Sequence, residues 1–195
     1  MGSGQLAEEN PPGAVNVRAF FGLPLPEAHR QALAGYLDAC ARRAPEFRWT
    51  PPANLHLTIR FLGHVQLALA ERIADSVGAA GLRAFDVELG AIGSFKRGRM
   101  ARVVWIGVGS GTEDVAELAA RVEAESQRAG LEAEDRPFHA HLTLARARPR
   151  DGASLPQLAP PPTFKAWRAD ELILYRSKLG RGGSIYEPMR RIRLS

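Results

Sequence analysis

The chain has 195 residues, 45% of them hydrophobic and 24% charged, a balance that fits a soluble globular protein and excludes a fibrous or low-complexity one. No apolar run approaches the roughly eighteen residues of a membrane helix, and the N-terminus lacks the basic and apolar regions of a secretory signal. Cys40 is the single cysteine, which excludes a disulfide framework and a thiolate metal cluster, so a cytoplasmic protein is expected. The formal charge of +5 comes from 26 basic and 21 acidic residues, with Arg dominating the basic set. A guanidinium fork suits phosphate oxygens, and a basic surface favours polyanions. A codon preference for Arg would give the same excess.

Residues 1–13, rich in Gly, Glu and Pro, read as a disordered tail ahead of one domain over 14–195. Val15 to Phe21 reads as a first strand. Pro24 and Pro26 mark a turn, and Leu33, Tyr36, Leu37 and Cys40 give residues 27–43 a helical period that Pro45 stops. Phe47 to Thr50 is a short strand before the Pro51-Pro52 turn, and residues 54–62 are a longer one. A connector over 63–66 precedes a second helix over 67–80, with Leu69, Ile73 and Val77 on one face. Alternation of Phe85, Val87 and Leu89 with Asp86 and Glu88 makes 83–90 a half-buried strand, and 101–108 follows it across the basic turn 96–99. Thr112 reads as the N-cap of a third helix that ends at Gly130. The strand 138–146, a Pro-rich loop over 149–162, and two strands over 164–176 and 184–194 complete the chain. Strands outnumber helices and several neighbours are close enough to pair antiparallel, so the class is α+β.

One tripeptide occurs twice, 85 residues apart: His56-Leu57-Thr58 and His141-Leu142-Thr143. Side chains alternate along a strand. His56, Thr58 and Arg60 therefore share one face, backed by Leu55, Leu57 and Ile59, and His139, His141 and Thr143 share another. The same parity leaves Phe61 in the core. Each half runs helix, connector, His-Leu-Thr strand, a coarse internal repeat. Two imidazoles facing one cleft can divide general acid and general base work, since the unperturbed pKa of His lies near working pH. Thr hydroxyls can donate to phosphoryl oxygens, and Arg can stabilise the charge that develops there. Such a set acts on phosphorus without metal when the substrate is a strained cyclic phosphate.

These residues resemble the two-histidine (2H) phosphoesterase superfamily, whose mark is a pair of His-x-Thr motifs. Within it the chain looks like the bacterial and archaeal RNA 2′,3′-cyclic phosphodiesterases, also called the 2′-5′ RNA ligase family. The likeness runs through Arg18-Ala-Phe-Phe21, Arg48 to Gly63, Val104-Trp-Ile-Gly107, Phe138 to Arg146, and Ser177-Lys-Leu179 ahead of Gly183 and Tyr186. Ala140 departs from the family's usual Pro. The resemblance implies a bilobal fold, two antiparallel sheets flanking a central cleft with helices outside. It implies hydrolysis of terminal 2′,3′-cyclic phosphate on RNA or nucleotides to a 2′-phosphate, with His56 as acid and His141 as base. No cofactor and no membrane partner are expected, and a monomer is. Reversible 2′-5′ joining of RNA ends, or a non-catalytic nucleotide-binding module, are the alternatives.

Either histidine alone would read as a structural residue; the doubled motif in a long matching context makes His56 and His141 the catalytic pair. Thr58 and Thr143 are expected to bind phosphate. Arg146 is out of phase with His141 by strict alternation, and a β-bulge could bring it into the cleft as a phosphate contact. Tyr186 is placed beside the substrate by the resemblance. His139 and His141 form a pair with metal-ligand spacing, but no third ligand accompanies them, so metal is not expected. Trp49 and Trp105 are read as core, and His29 and His64 as surface.

Overall fold

The computed structural model describes residues 15–180 and 183–195, so the N-terminal stretch read as a tail lies outside the described residues. Strand β1 (Asn16–Pro24) buries Val17, Ala19, Phe21 and Leu23, each at most 4% exposed, as strand alternation requires. Helix α1 (Glu27–Arg43) follows and buries Leu33, Leu37 and Cys40. Strand β2 (Phe47–Trp49) and a single 3-10 turn (Pro52–Asn54) lead into β3 (His56–Gln66). Helix α2 (Leu67–Ala79) turns back over the sheet, burying Ala70, Ile73, Ala74 and Val77. The hairpin β4 (Phe85–Arg97) and β5 (Met100–Ser110) precedes α3 (Thr112–Arg128), which buries Val115, Leu118, Ala119 and Val122. Strands β6 (His141–Ala147), β7 (Trp167–Ala169), β8 (Glu171–Gly180) and β9 (Gly183–Arg193) complete the fold.

Strand pairing is antiparallel throughout, in the order β7-β4-β5-β6-β3-β1-β8-β9, with β2 added beside β6. The class is α+β, as expected. The two antiparallel sheets expected are joined edge to edge, so that the strands hydrogen-bond along one path. Its two halves meet at β3 and β6, which pair through Leu57 and Leu142 alone. Both leucines are at most 1% exposed, so the seam between the halves is sealed by apolar side chains.

Several boundaries move. The connector 63–66 belongs to β3, and Gly63 bends the strand with φ 74°. Residues 138–140 precede β6 instead of opening it. The strand expected over 164–176 is two pieces broken at Asp170. Helix α3 is capped by Gly111 (φ 80°), not Thr112. A Cβ on Gly111 would lie 2.3 Å from the Asp86 carbonyl oxygen, so the turn into α3 requires glycine there.

Candidate active site

His56 and His141 each stand one residue before a seam leucine. The antiparallel sense of the Leu57–Leu142 pair points His56 towards the Thr143 side and His141 towards the Thr58 side. The two histidines are held in the same way. His56 Nδ1 donates to the Asn54 carbonyl at 2.7 Å, and His141 Nδ1 donates to the His139 carbonyl at 2.7 Å. With Nδ1 carrying the proton, each neutral ring keeps a basic Nε2 free to exchange a proton. Thr58 Oγ1 lies 3.0 Å from His56 Nε2 and donates to it in this tautomer. The Asn54 side chain donates to the Ser184 carbonyl at 2.6 Å, tying the His56 anchor to β9.

Aromatic rings surround both imidazoles. Around His56, the buried Phe20 ring lies at 4.7 Å and Tyr186 meets it edge-on at 5.1 Å, with Tyr175 at 5.9 Å. Around His141, Phe95 lies edge-on at 5.0 Å and Trp105 at 6.3 Å. Burial lowers the His56 pKa to about 4; the Arg146 and His141 charges push the same way, and the bond to Asn54 opposes them. Burial likewise lowers His141. Both rings are therefore neutral at pH 7 in the free protein.

Arg146 reaches this face through a bulge. Trp105 pairs with Thr143 and Val104 with Ala145, so Leu144 is the extra residue. That step puts Arg146 in phase with His141 and Thr143. Its charge acts on both histidines, and Tyr186 lies close enough to act on it in turn. The structure thus brings His56, Thr58, His141, Arg146 and Tyr186 together, with Thr143 on the same face of β6 as His141.

The same device removes two residues from their expected places. Gly22 pairs with Thr58 and Phe21 with Arg60, so Ile59 is an extra residue in β3. Beyond it the parity inverts. Arg60 leaves the histidine face and forms ion pairs with Glu123 of α3 and with Glu134. Phe61 is not core: it is 47% exposed and lies 5.7 Å from Phe20 on the His56 side. Trp105 is also not core. It is half-buried and shares the His141 face, and its ring lies so close over Gly93 that a Cβ there would meet it at 2.2 Å. Trp49 is half-buried and donates to the Ala44 carbonyl. His64 is exposed, whereas His29 is half-buried, stacked on Phe164 and bonded to the Lys165 carbonyl. His139 is exposed and serves His141 through its carbonyl. Among the described residues no group of three or more His, Cys, Asp or Glu side chains could hold a metal ion. Nor is any described helix long and apolar enough to cross a membrane.

Sequence reasoning missed Phe20 and Tyr175 as neighbours of His56, and the carbonyls of Asn54 and His139 as its and His141's anchors. Phe20 lay inside the quoted Arg18-Ala-Phe-Phe21 block, which was the available signal. The carbonyls carry no signal in side-chain identity.

The family model described as "LigT like Phosphoesterase" matches the chain twice, over residues 23–105 and 106–186, one match for each half of the internal repeat. The chain is 32% identical over 177 residues to the RNA 2′,3′-cyclic phosphodiesterase of Escherichia coli, covering 89% of this chain and 94% of that one. It is 30% identical over 186 residues to the protein of that name from Methanothermobacter thermautotrophicus, covering 92% of this chain and 100% of that one. Its fold matches the crystal structure of E. coli LigT complexed with 3′-AMP, with a TM-score of 0.78 and 27% identity over 93% of this chain and 99% of that one. Fold and sequence both place the chain among the phosphoesterases. It belongs to the LigT-like phosphoesterase family, within the 2H superfamily.

Proposed function

We propose that the protein hydrolyses terminal 2′,3′-cyclic phosphate on RNA to a 2′-phosphate. The reading rests on one observation: two imidazoles in one aromatic-walled site, each locked at Nδ1 by a backbone carbonyl so that Nε2 is the basic nitrogen. Its relatives named RNA 2′,3′-cyclic phosphodiesterase support the substrate class.

In this reading, water attacks phosphorus while His141 Nε2 takes its proton. The P–O3′ bond breaks, and His56 gives its Nε2 proton to O3′. The attacking and leaving oxygens stand in line on opposite sides of phosphorus, which two imidazoles from different strands can serve at once. The Asn54 carbonyl stabilises the His56 imidazolium by accepting from Nδ1. Thr58, Thr143 and Arg146 hold the non-bridging oxygens, and Tyr186 borders the substrate. The anionic phosphodiester raises both imidazole pKa values on binding, so the acid gains its proton together with substrate. Acid and base both come from the chain, and no metal takes part in this scheme.

The test is product analysis of an oligonucleotide ending in 2′,3′-cyclic phosphate, incubated in excess chelator. A 2′-phosphate end is expected. A 3′-phosphate end would reverse the bond assigned to break, and turnover only after divalent metal is restored would overturn the two-histidine scheme.

A further inference from the structure

Two further arginines, Arg18 and Arg48, stand near Arg146. Arg48 of β2 is directly opposite Arg146 of β6, so the two share a face. Arg18 belongs to the cleft-facing row of β1 with Phe20 and Gly22, the row that packs on His56. Both lie close enough for their charges to act on Arg146.

Like charges placed directly opposite on a sheet are destabilising. Some other arginines of this chain are paired: Arg60 has Glu123 and Glu134, Arg176 has Glu187, Arg190 has Asp75 and Arg191 has Glu171. Among the described residues, none of Arg18, Arg48 and Arg146 has a carboxylate within ion-pair distance. All three are exposed, so their charged heads are available to a ligand. A cyclic phosphodiester carries one negative charge, and Arg146 beside the two histidines answers it. Two cations are left over.

We infer that Arg18 and Arg48 form a second phosphate subsite beside Arg146, which holds the internal phosphodiester on the 5′ side of the terminal nucleotide. This rests on the phosphodiesterase reading above and adds to it a preference for polynucleotide ends over cyclic mononucleotides. An internal RNA phosphate is covalently held near the reacting one. Once the cyclic end is seated, the next phosphate falls beside the same guanidinium cluster.

Binding separates this inference from the reaction. The probes are adenosine 2′-phosphate, adenosine 2′,5′-bisphosphate, and cytidylyl-adenosine carrying a 2′-phosphate, titrated calorimetrically into the full chain. Charge-assisted hydrogen bonds to a second phosphate should make the two longer ligands bind about tenfold tighter or more at low salt. That advantage should shrink as salt rises. Arg18→Gln and Arg48→Gln should each reduce the advantage, and the double variant should bring the ratio close to one. Thermal melts check that the variants fold, and Arg48→Lys, which keeps the charge, should retain part of the ratio.

Tighter binding of the bisphosphate alone would mean a monoester 5′-phosphate site and overturn the assignment to an RNA diester. A wild-type ratio of one, or parallel weakening of every ligand in the double variant, overturns the subsite. Failure to turn over cyclic phosphate, with the binding ratio intact, counts against the phosphodiesterase reading alone.

Discussion

Gly22 and His56 approach so closely that a Cβ on the glycine would lie 3.1 Å from His56 Cδ2 and 3.2 Å from the Leu57 carbonyl oxygen. Neither neighbour can easily retreat. The imidazole is pinned by Asn54 and backed by Phe20, and the carbonyl is part of β3. Gly22→Ala should therefore tilt the ring by a few tenths of an ångström. Misplacement of about 1 Å can cost about 10²-fold, so a loss of roughly tenfold in kcat is expected. Steady-state kinetics beside a thermal melt checks this. Unchanged kcat in a folded Gly22→Ala variant would show that His56 has slack it is not expected to have.

The two threonines are equivalent by motif but not by contact. Thr58 donates to His56 Nε2 in the free protein and must release that bond to serve a phosphoryl oxygen. Thr58→Val and Thr143→Val preserve shape and remove the donor. Loss of a donor to developing negative charge costs about 10²-fold or more in kcat. Normal kinetics in both folded variants would return the threonines to a structural role.

The profile of kcat/KM against pH reports the free protein's groups. The productive complex carries one proton on the histidine pair, so kcat/KM follows the fraction of free protein that already holds one. His56 is lowered to about 4, and His141 is lowered from its ordinary value of 6.5. The singly protonated form therefore dominates only on the acid side of 6.5. Above that, its population falls about tenfold per pH unit, so kcat/KM should fall as pH rises. The kcat profile should sit at higher pH, because bound phosphate raises both groups. A kcat/KM plateau extending from pH 7 to 9 would contradict this assignment.

The same shift has a stability consequence with a definite sign. His56 binds its proton at a lower pH when folded than when unfolded, so the unfolded state holds more protons between about pH 6.5 and 4. Stability is intact above that window and falls as pH drops through it, by at most on the order of 3 kcal/mol for this group. His56→Gln should flatten part of that dependence in chemical denaturation midpoints measured from pH 7 to 4. An unchanged slope would show that other groups set the acid sensitivity.

The division of labour between the histidines is read with a leaving group that needs no proton. A nitrophenyl phosphodiester should restore turnover to His56→Ala far more than to His141→Ala. Rescue of His141→Ala alone would reverse the assignment of acid and base.

Local pattern was enough for several features. The period of Leu33, Leu37 and Cys40 marked α1 over residues 27–43, the range it occupies. Alternation set the faces of His56, Leu57 and Thr58, and of His141, Leu142 and Thr143, because those steps of β3 and β6 are regular. Parity counted along one strand fails at the first extra residue, and an extra residue is defined by the partner strand. Ile59 sent Arg60 towards α3 and Phe61 towards Phe20, and Leu144 turned Arg146 into the site. Nothing in the local sequence marks either bulge, since Ile and Leu are ordinary strand residues. The single Leu57–Leu142 pairing, the carbonyls that anchor the imidazoles, and the meeting of Arg18 with Arg48 and Arg146 are contacts between distant segments. The sequence chose the reactive side chains through local residue chemistry. Their orientation came from tertiary pairing, because bulge position and backbone hydrogen bonding depend on which strands lie side by side.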